Sequence, residues 1–145
     1  MIIIFICAII YYLLLTTEPS SNTILNCVYW INLDRSLKRK QNMQRLLKYH
    51  EFNNIPKKRI SAVDAKTNMH ILSDNFTNAN KKYSNYEYAC LLSHLNAIRQ
   101  FWNSGKSVAL IMEDDMTLEF KPYWNTSLTK YISNAPYNCE ILQLI

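Results

Sequence analysis

The sequence predicts an α/β domain, a mostly parallel sheet flanked by helices, preceded by an amino-terminal hydrophobic segment. Three observations predict it. An unbroken apolar run, Val108 to Met112, ends in three consecutive carboxylates, Glu113, Asp114 and Asp115, and a run that short reads as a strand covered on both faces. Ile24 to Asp64 reads strand, helix, strand, the order that begins a parallel sheet. Ser84 to Gly105 has the marks of a helix at both ends and delivers the chain, by a single turn, to the acidic strand.

In chain order, residues 1 to 17 are uncharged and largely apolar before Glu18, Pro19 and Ser20 interrupt them. That length suits a signal peptide or a signal anchor, and a basic leader and a small-residue cleavage site are both missing, which favours a retained anchor with the domain on the luminal side. The expected location is therefore membrane-anchored or the lumen of the secretory pathway. Fifteen apolar residues are too many for one strand. Residues 18 to 23 read as a linker and 24 to 145 as the domain. Cys7, Cys27, Cys90 and Cys139 are too scattered for a zinc motif, and no disulfide framework is implied.

Ile24 to Leu33 is rich in β-branched and aromatic residues and reads as the first strand of the domain. Asn32, Asp34 and Arg35 at its end suit a nucleotide, Asp34 by accepting from a base or ribose and Arg35 by pairing with phosphate. Equally, Asp34 or Ser36 caps the helix that follows. In that helix, Leu37 to about His50, Met43, Leu46, Leu47 and His50 share one face. Arg59 to Asp64 reads as the second strand, with Asp64 at its end. Ala65 to Tyr83 is polar and aperiodic and reads as a loop over the sheet edge.

Ser84-Asn85-Tyr86-Glu87 has capping-box spacing, and the helix it opens runs to Trp102. Leu91, Leu95, Ile98 and Trp102 are the expected core stripe, with Cys90, His94 and Ala97 beside it. His94 is either a hydrogen-bonded structural histidine or a catalytic one, and Glu87 is explained by capping as well as by a site. Gly105, the only glycine in the chain, falls where a left-handed residue ends a helix.

The three acids then sit at the carboxyl end of a buried strand, where open α/β sheets bind ligands. Adjacent carboxylates raise each other's pKa unless a cation neutralises them, which invites a divalent metal with oxygen ligands, Mn²⁺ or Mg²⁺. The alternative is a solvated acidic turn. An apolar fraction of 49% with 19% charged residues excludes a disordered chain. Charge is unevenly placed: nine of the sixteen basic residues lie between Arg35 and Arg59, and five of the eleven acids follow Lys106. A basic half facing an acidic half suits a phosphorylated, metal-chelating ligand rather than nucleic acid.

Four blocks together resemble glycosyltransferase family 25, the lipopolysaccharide-biosynthesis and procollagen galactosyltransferase group. They are Tyr29-Trp30-Ile31-Asn32-Leu33-Asp34-Arg35-Ser36, Arg59-Ile60-Ser61-Ala62-Val63-Asp64-Ala65, Glu87-Tyr88-Ala89-Cys90-Leu91-Leu92-Ser93-His94, and Ala109-Leu110-Ile111-Met112-Glu113-Asp114-Asp115. The resemblance implies a GT-A-like fold and transfer of a hexose, galactose or glucose, from a UDP-sugar to a hydroxyl on a glycan or protein. By the same resemblance, Glu113 and Asp115 take the metal, Asn32, Asp34, Arg35, Asp64 and Glu113 line the nucleotide-sugar pocket, and Glu87 and His94 stand near the sugar as catalytic candidates. Tyr86 and Ala89 replace glycines usual in the family, and members run to greater length, so a partial domain lacking the acceptor part is expected. Two alternatives stay open: a catalytically inactive nucleotide- or glycan-binding module, and a metal-dependent phosphohydrolase.

Overall fold

The computed structural model of the 145-residue chain describes residues 2–6, 25–76, 83–136 and 138–143. In order these form β1 (Ile2–Ile6), β2 (Cys27–Asn32), α1 (Leu37–Leu46), β3 (Lys57–Ser61), α2 (Met69–Asn75), α3 (Asn85–Asn103), β4 (Val108–Glu113), α4 (Leu128–Ser133) and β5 (Ile141–Gln143). The strands make one sheet in the order β3-β2-β4-β1-β5. Every pairing among the described strands is parallel.

Alternation along the two central strands decides which layer covers which face. Val28 and Trp30 of β2, with Val108, Leu110 and Met112 of β4, face Met43 and Leu47 from the α1 region and Leu128 and Ile132 of α4. Their intervening neighbours, Cys27, Tyr29, Ile31, Ala109 and Ile111, face Ala97 and Phe101 of α3. Both strands are thus closed on both sides, which is why neither shows a polar residue before its last position. At about 1.5–3 kcal/mol for each large aliphatic side chain removed from water, β4 is a principal source of stability.

Four sequence expectations are corrected. The core stripe of α3 is rotated: Ala89, Leu92, Ser93, His94, Ala97 and Phe101 are buried, whereas Leu95 and Trp102 are 39% and 51% exposed. Ala97 lets the helix lie close to the sheet beside Phe101, while Ala89 and Leu92 face the smaller cluster with Ala65 and Leu72, so small residues as well as large ones mark the inner face. Residues 69–75 are helical instead of irregular; Leu72 and Ile71 pack with Ala65, Ala89 and Leu92 in a small separate cluster, a tertiary contact that local propensity does not reveal. β3 ends at Ser61, which leaves Asp64 in the turn beyond it, and α1 ends at Leu46, with His50 exposed in a short 3-10 turn.

Other expectations hold. Ser84 and Glu87 form the capping box reciprocally, and Gly105 adopts φ +65° directly after α3. Of the amino-terminal apolar segment, Ile2–Ile6 lies within the sheet between β4 and β5, pairing with Val108 to Met112. This strand uses only five of the apolar residues, so the length of the segment did not exclude one. The rest of the expected membrane segment and the linker at 18–23 fall outside the described residues. No helix among the described residues is long and apolar enough to cross a membrane.

Candidate functional site

The sheet reverses direction of growth at β2 and β4: from β2 the chain moves outward to β3, while β4 adds on the opposite side. Such a switch point leaves a crevice beyond the strand ends. Asn32 closes β2, Ser61 closes β3 opposite it, and Glu113 closes β4 opposite Ile31. The first half of α3 supplies the far wall. The resulting open cleft, about 600 Å³ with the space leading to solvent, is lined among others by Asn32, Arg35, Arg39, Asp64, His94 and Glu113.

The three consecutive acids have three different surroundings. Asp114 is buried; its carboxylate accepts from Asn32 Nδ2 at 2.5 Å and from Arg39 Nη1 at 3.0 Å. Asn32, 1% exposed, also accepts from Arg59 Nε at 2.9 Å through its Oδ1. Asn32 and Asp114 therefore fasten the acidic turn to β2 and β3, and the bond between these two buried side chains is worth most. Glu113 turns toward α3, where His94 Nε2 lies 2.9 Å from its Oε1. That hydrogen bond holds the Glu113 carboxyl below its usual range against the burial that raises it. With Glu113 ionised, Nε2 is the donor. Asp115 is exposed, 3.7 Å from Arg39, and lines a neighbouring concavity instead of the main cleft.

Arginines carry the opposite charge. Arg35 Nε donates to Asp64 at 2.5 Å, and this, with the Lys66 amide, holds the Asp64 carboxyl low. Both residues line the cleft. Arg59 and the Ser61 hydroxyl both donate to Asp34, whose pKa falls through the Ser61 bond first and Arg59 second. Asp34 is exposed and outside the cleft lining. Ser36 occupies the N-cap position of α1 without a side-chain capping bond.

Of the residues the sequence nominated, Asn32, Arg35, Asp64, His94 and Glu113 come together around one cleft. Asp34, Glu87 and Asp115 stand outside its lining. Glu87 accepts from both the backbone and the hydroxyl of Ser84 through Oε2, so its carboxylate is engaged in capping. Sequence reasoning missed Arg39, Cys90 and Ser93. Cys90 had a signal, its i, i+4 spacing from His94 on one helix; Arg39, in the first turn of α1 while Arg35 precedes the helix, lacked one. Ser93 had none: its hydroxyl donates to Ala89 and accepts from the Val63 amide, tying the turn after β3 to α3.

As to a divalent ion, the donor set around Glu113 fits one in kind. A carboxylate oxygen, the His94 imidazole nitrogen and the Cys90 sulfur all lie within 4.8 Å of one another. Asp115 is not part of that group. Residues 26–144 match the family model described as glycosyltransferase family 25 (LPS biosynthesis protein). No curated protein and no solved structure matches the chain. The matched span includes all three strand ends, the capped helix and every residue of the cleft, and the protein belongs to glycosyltransferase family 25.

Proposed function

We propose that the protein transfers a hexose, galactose or glucose, from a UDP-sugar to a hydroxyl on a glycan or protein, using a GT-A-like arrangement of this sheet. The observation that carries the reading is the convergence of Arg35, Arg39, Asp64 and Glu113 on one cleft at the switch point. Guanidinium groups bind phosphate oxygens in bidentate fashion; Arg35 reaches the cleft from the turn before α1 and Arg39 from its first turn. Each now rests on a carboxylate, Arg35 on Asp64 and Arg39 on Asp114. A diphosphate can share those guanidiniums without burying an unpaired charge. Asp64, released in part, is placed to accept from ribose hydroxyls.

In the reaction the bond between the sugar's anomeric carbon and the diphosphate breaks as the acceptor oxygen bonds that carbon, and the acceptor's proton leaves to a base. Negative charge grows on the departing diphosphate. Arg35 and Arg39 stabilise it electrostatically, the effect that usually dominates such steps. Glu113 is the cleft carboxylate that would hold a divalent ion, Mn²⁺ or Mg²⁺ by family resemblance, and Asp115, outside the cleft lining, would join it only by turning from the neighbouring concavity; when bound, the ion would supply further neutralisation of the diphosphate. His94 is a positioning residue, fixing the Glu113 carboxylate through Nε2. Asn32 does the same for the acidic turn, and Asp34 for Arg59.

Calorimetric titration of the full chain with UDP, UDP-galactose and UDP-glucose, with Mn²⁺ present, tests the reading. UDP binds the parent, and Arg39→Ala weakens it by roughly 10-fold or more, the value of one charge-assisted hydrogen bond. Absence of UDP binding, or an Arg39→Ala variant with parental affinity, refutes it. Equal affinity in Asp115→Ala removes that residue from metal binding. Release of inorganic phosphate from UDP without an acceptor would favour a hydrolase.

A further inference from the structure

We propose that Cys90, His94 and Glu113 form a zinc site in the wall of the cleft. It shares the cleft and two side chains, His94 and Glu113, with the proposed transferase, but it rests on the geometry of the donor atoms alone. Cys90 and His94 are four residues apart on α3, so their side chains rise from one helical face a turn apart. Glu113 reaches them from the end of β4. His94 Nε2 to Glu113 Oε1 is 2.9 Å and Cys90 Sγ to the same oxygen is 3.9 Å. All donor atoms fall within 4.8 Å of one another. Around a tetrahedral Zn²⁺ with bonds of about 2.0–2.3 Å, ligand atoms stand roughly 3.3–3.7 Å apart. The two separations to Glu113 bracket that value and the third is no more than 4.8 Å, so binding needs adjustments on the order of 1 Å, within the reach of a side-chain rotation.

The chemistry of the donors selects the ion. Thiolate and imidazole are softer than the oxygen ligands that Mn²⁺ and Mg²⁺ prefer, and a sulfur, nitrogen and oxygen set is characteristic of zinc. On binding, the Cys90 thiol gives up its proton to solvent and the sulfur takes the metal. Three protein ligands leave the fourth position of a tetrahedron for an outside group, the pattern of zinc sites that act on a substrate. Since all three residues line the cleft, that group comes from water or from an oxyanion bound in the cleft. The burial gradient agrees: His94 is buried, Glu113 half-buried and Cys90 exposed, so the ion enters from the open side and meets preformed ligands beneath.

Cobalt substitution tests the site without any activity assay. Co²⁺ added to the full chain is expected to give the intense near-ultraviolet band of thiolate-to-cobalt charge transfer, and Zn²⁺ abolishes it by displacement. The band disappears in Cys90→Ser, whose exposed position leaves the fold intact, and persists in Cys7→Ser and Cys139→Ser. Zn²⁺ raises the melting temperature of the parent but not of Cys90→Ser, and Zn²⁺ affinity drops at least about 10-fold in Cys90→Ser and in His94→Ala, the lower bound set by losses of mere supporting residues. No thiolate band, or a band of equal strength in Cys90→Ser, overturns the proposal. UDP binding without the cobalt band leaves the transferase reading standing and this one refuted; the band without UDP binding does the reverse.

Discussion

Replacing Asp114 by alanine tests most directly how the acidic turn is built. Its carboxylate accepts from Asn32 Nδ2 at 2.5 Å and Arg39 Nη1 at 3.0 Å. Removing it leaves Asn32, 1% exposed, with a single remaining acceptor for that amide, the Ser36 carbonyl at 3.3 Å. A buried donor deprived of its partner costs about 1–3 kcal/mol. The Arg39 side chain is 55% exposed, so water replaces most of what it loses, and that pair adds only about 0–1 kcal/mol after solvent screening. The sum, roughly 1–4 kcal/mol, is a large fraction of the 5–15 kcal/mol that holds an ordinary domain together. For a chain of this size it lowers the melting temperature by roughly 4–15 °C. Asp115→Ala, one residue on and 52% exposed at the side chain, changes stability by no more than about 0.5 kcal/mol. Thermal unfolding followed by circular dichroism, with both variants measured beside the parent, gives the comparison. Equal melting temperatures for the two variants would refute the reasoning that burial and hydrogen bonding, not the acidic tripeptide as such, distinguish these neighbours.

Three further outcomes are expected. Ala97→Leu forces a larger side chain between α3 and the sheet, where Ala97 has no exposed surface, and costs about 1–3 kcal/mol; Leu95→Ala on the outer face costs under about 1 kcal/mol, and urea midpoints of the two variants decide the helix face. Ser84→Ala removes the hydroxyl that accepts from the Glu87 amide and costs about 1 kcal/mol, while UDP affinity stays at the parental value, since neither capping residue lines the cleft. The carboxyls of Asp34 and Asp64 are held below their ordinary range, by Ser61 and Arg59 in one case and by Arg35 in the other. Groups with depressed folded pKa values contribute stability that is complete above the unfolded value of about 4 and is lost as pH falls through the folded values. Unfolding scans from pH 7 to pH 2 should therefore show a loss of stability below about pH 4 that is shallower in Asp64→Asn.

Much of the domain was readable along the chain because its signals are local. The capping box needs only Ser84 and Glu87, the left-handed helix end needs only Gly105, and the apolar run of β4 records a strand covered on both faces. The family blocks at Asn32, Asp64, His94 and Glu113 likewise named side chains that do line one cleft. Residues 69–75 were misread because their helix is held by packing against α3, through Leu72 and Ala89, and seven polar-rich residues carry no periodicity strong enough to show it. The inner face of α3 was misjudged because a hydrophobicity count favours Leu95 and Trp102, whereas close approach to a sheet favours alanine.

The amino-acid sequence by itself determined the order of strand and helix, the position of the acids at a strand end and the family to which the chain belongs. Each of these depends on residues near one another in the chain or on a pattern repeated along it. Tertiary structure alone decided how Glu113, Asp114 and Asp115 divide their roles, one toward His94, one toward Asn32 and Arg39, one toward solvent. Their partners lie 19 to 82 residues away, and no local rule reports which side of a turn a carboxylate will face. The same holds for Cys90 and Arg39, whose place at the cleft follows from the packing of their helices against the sheet.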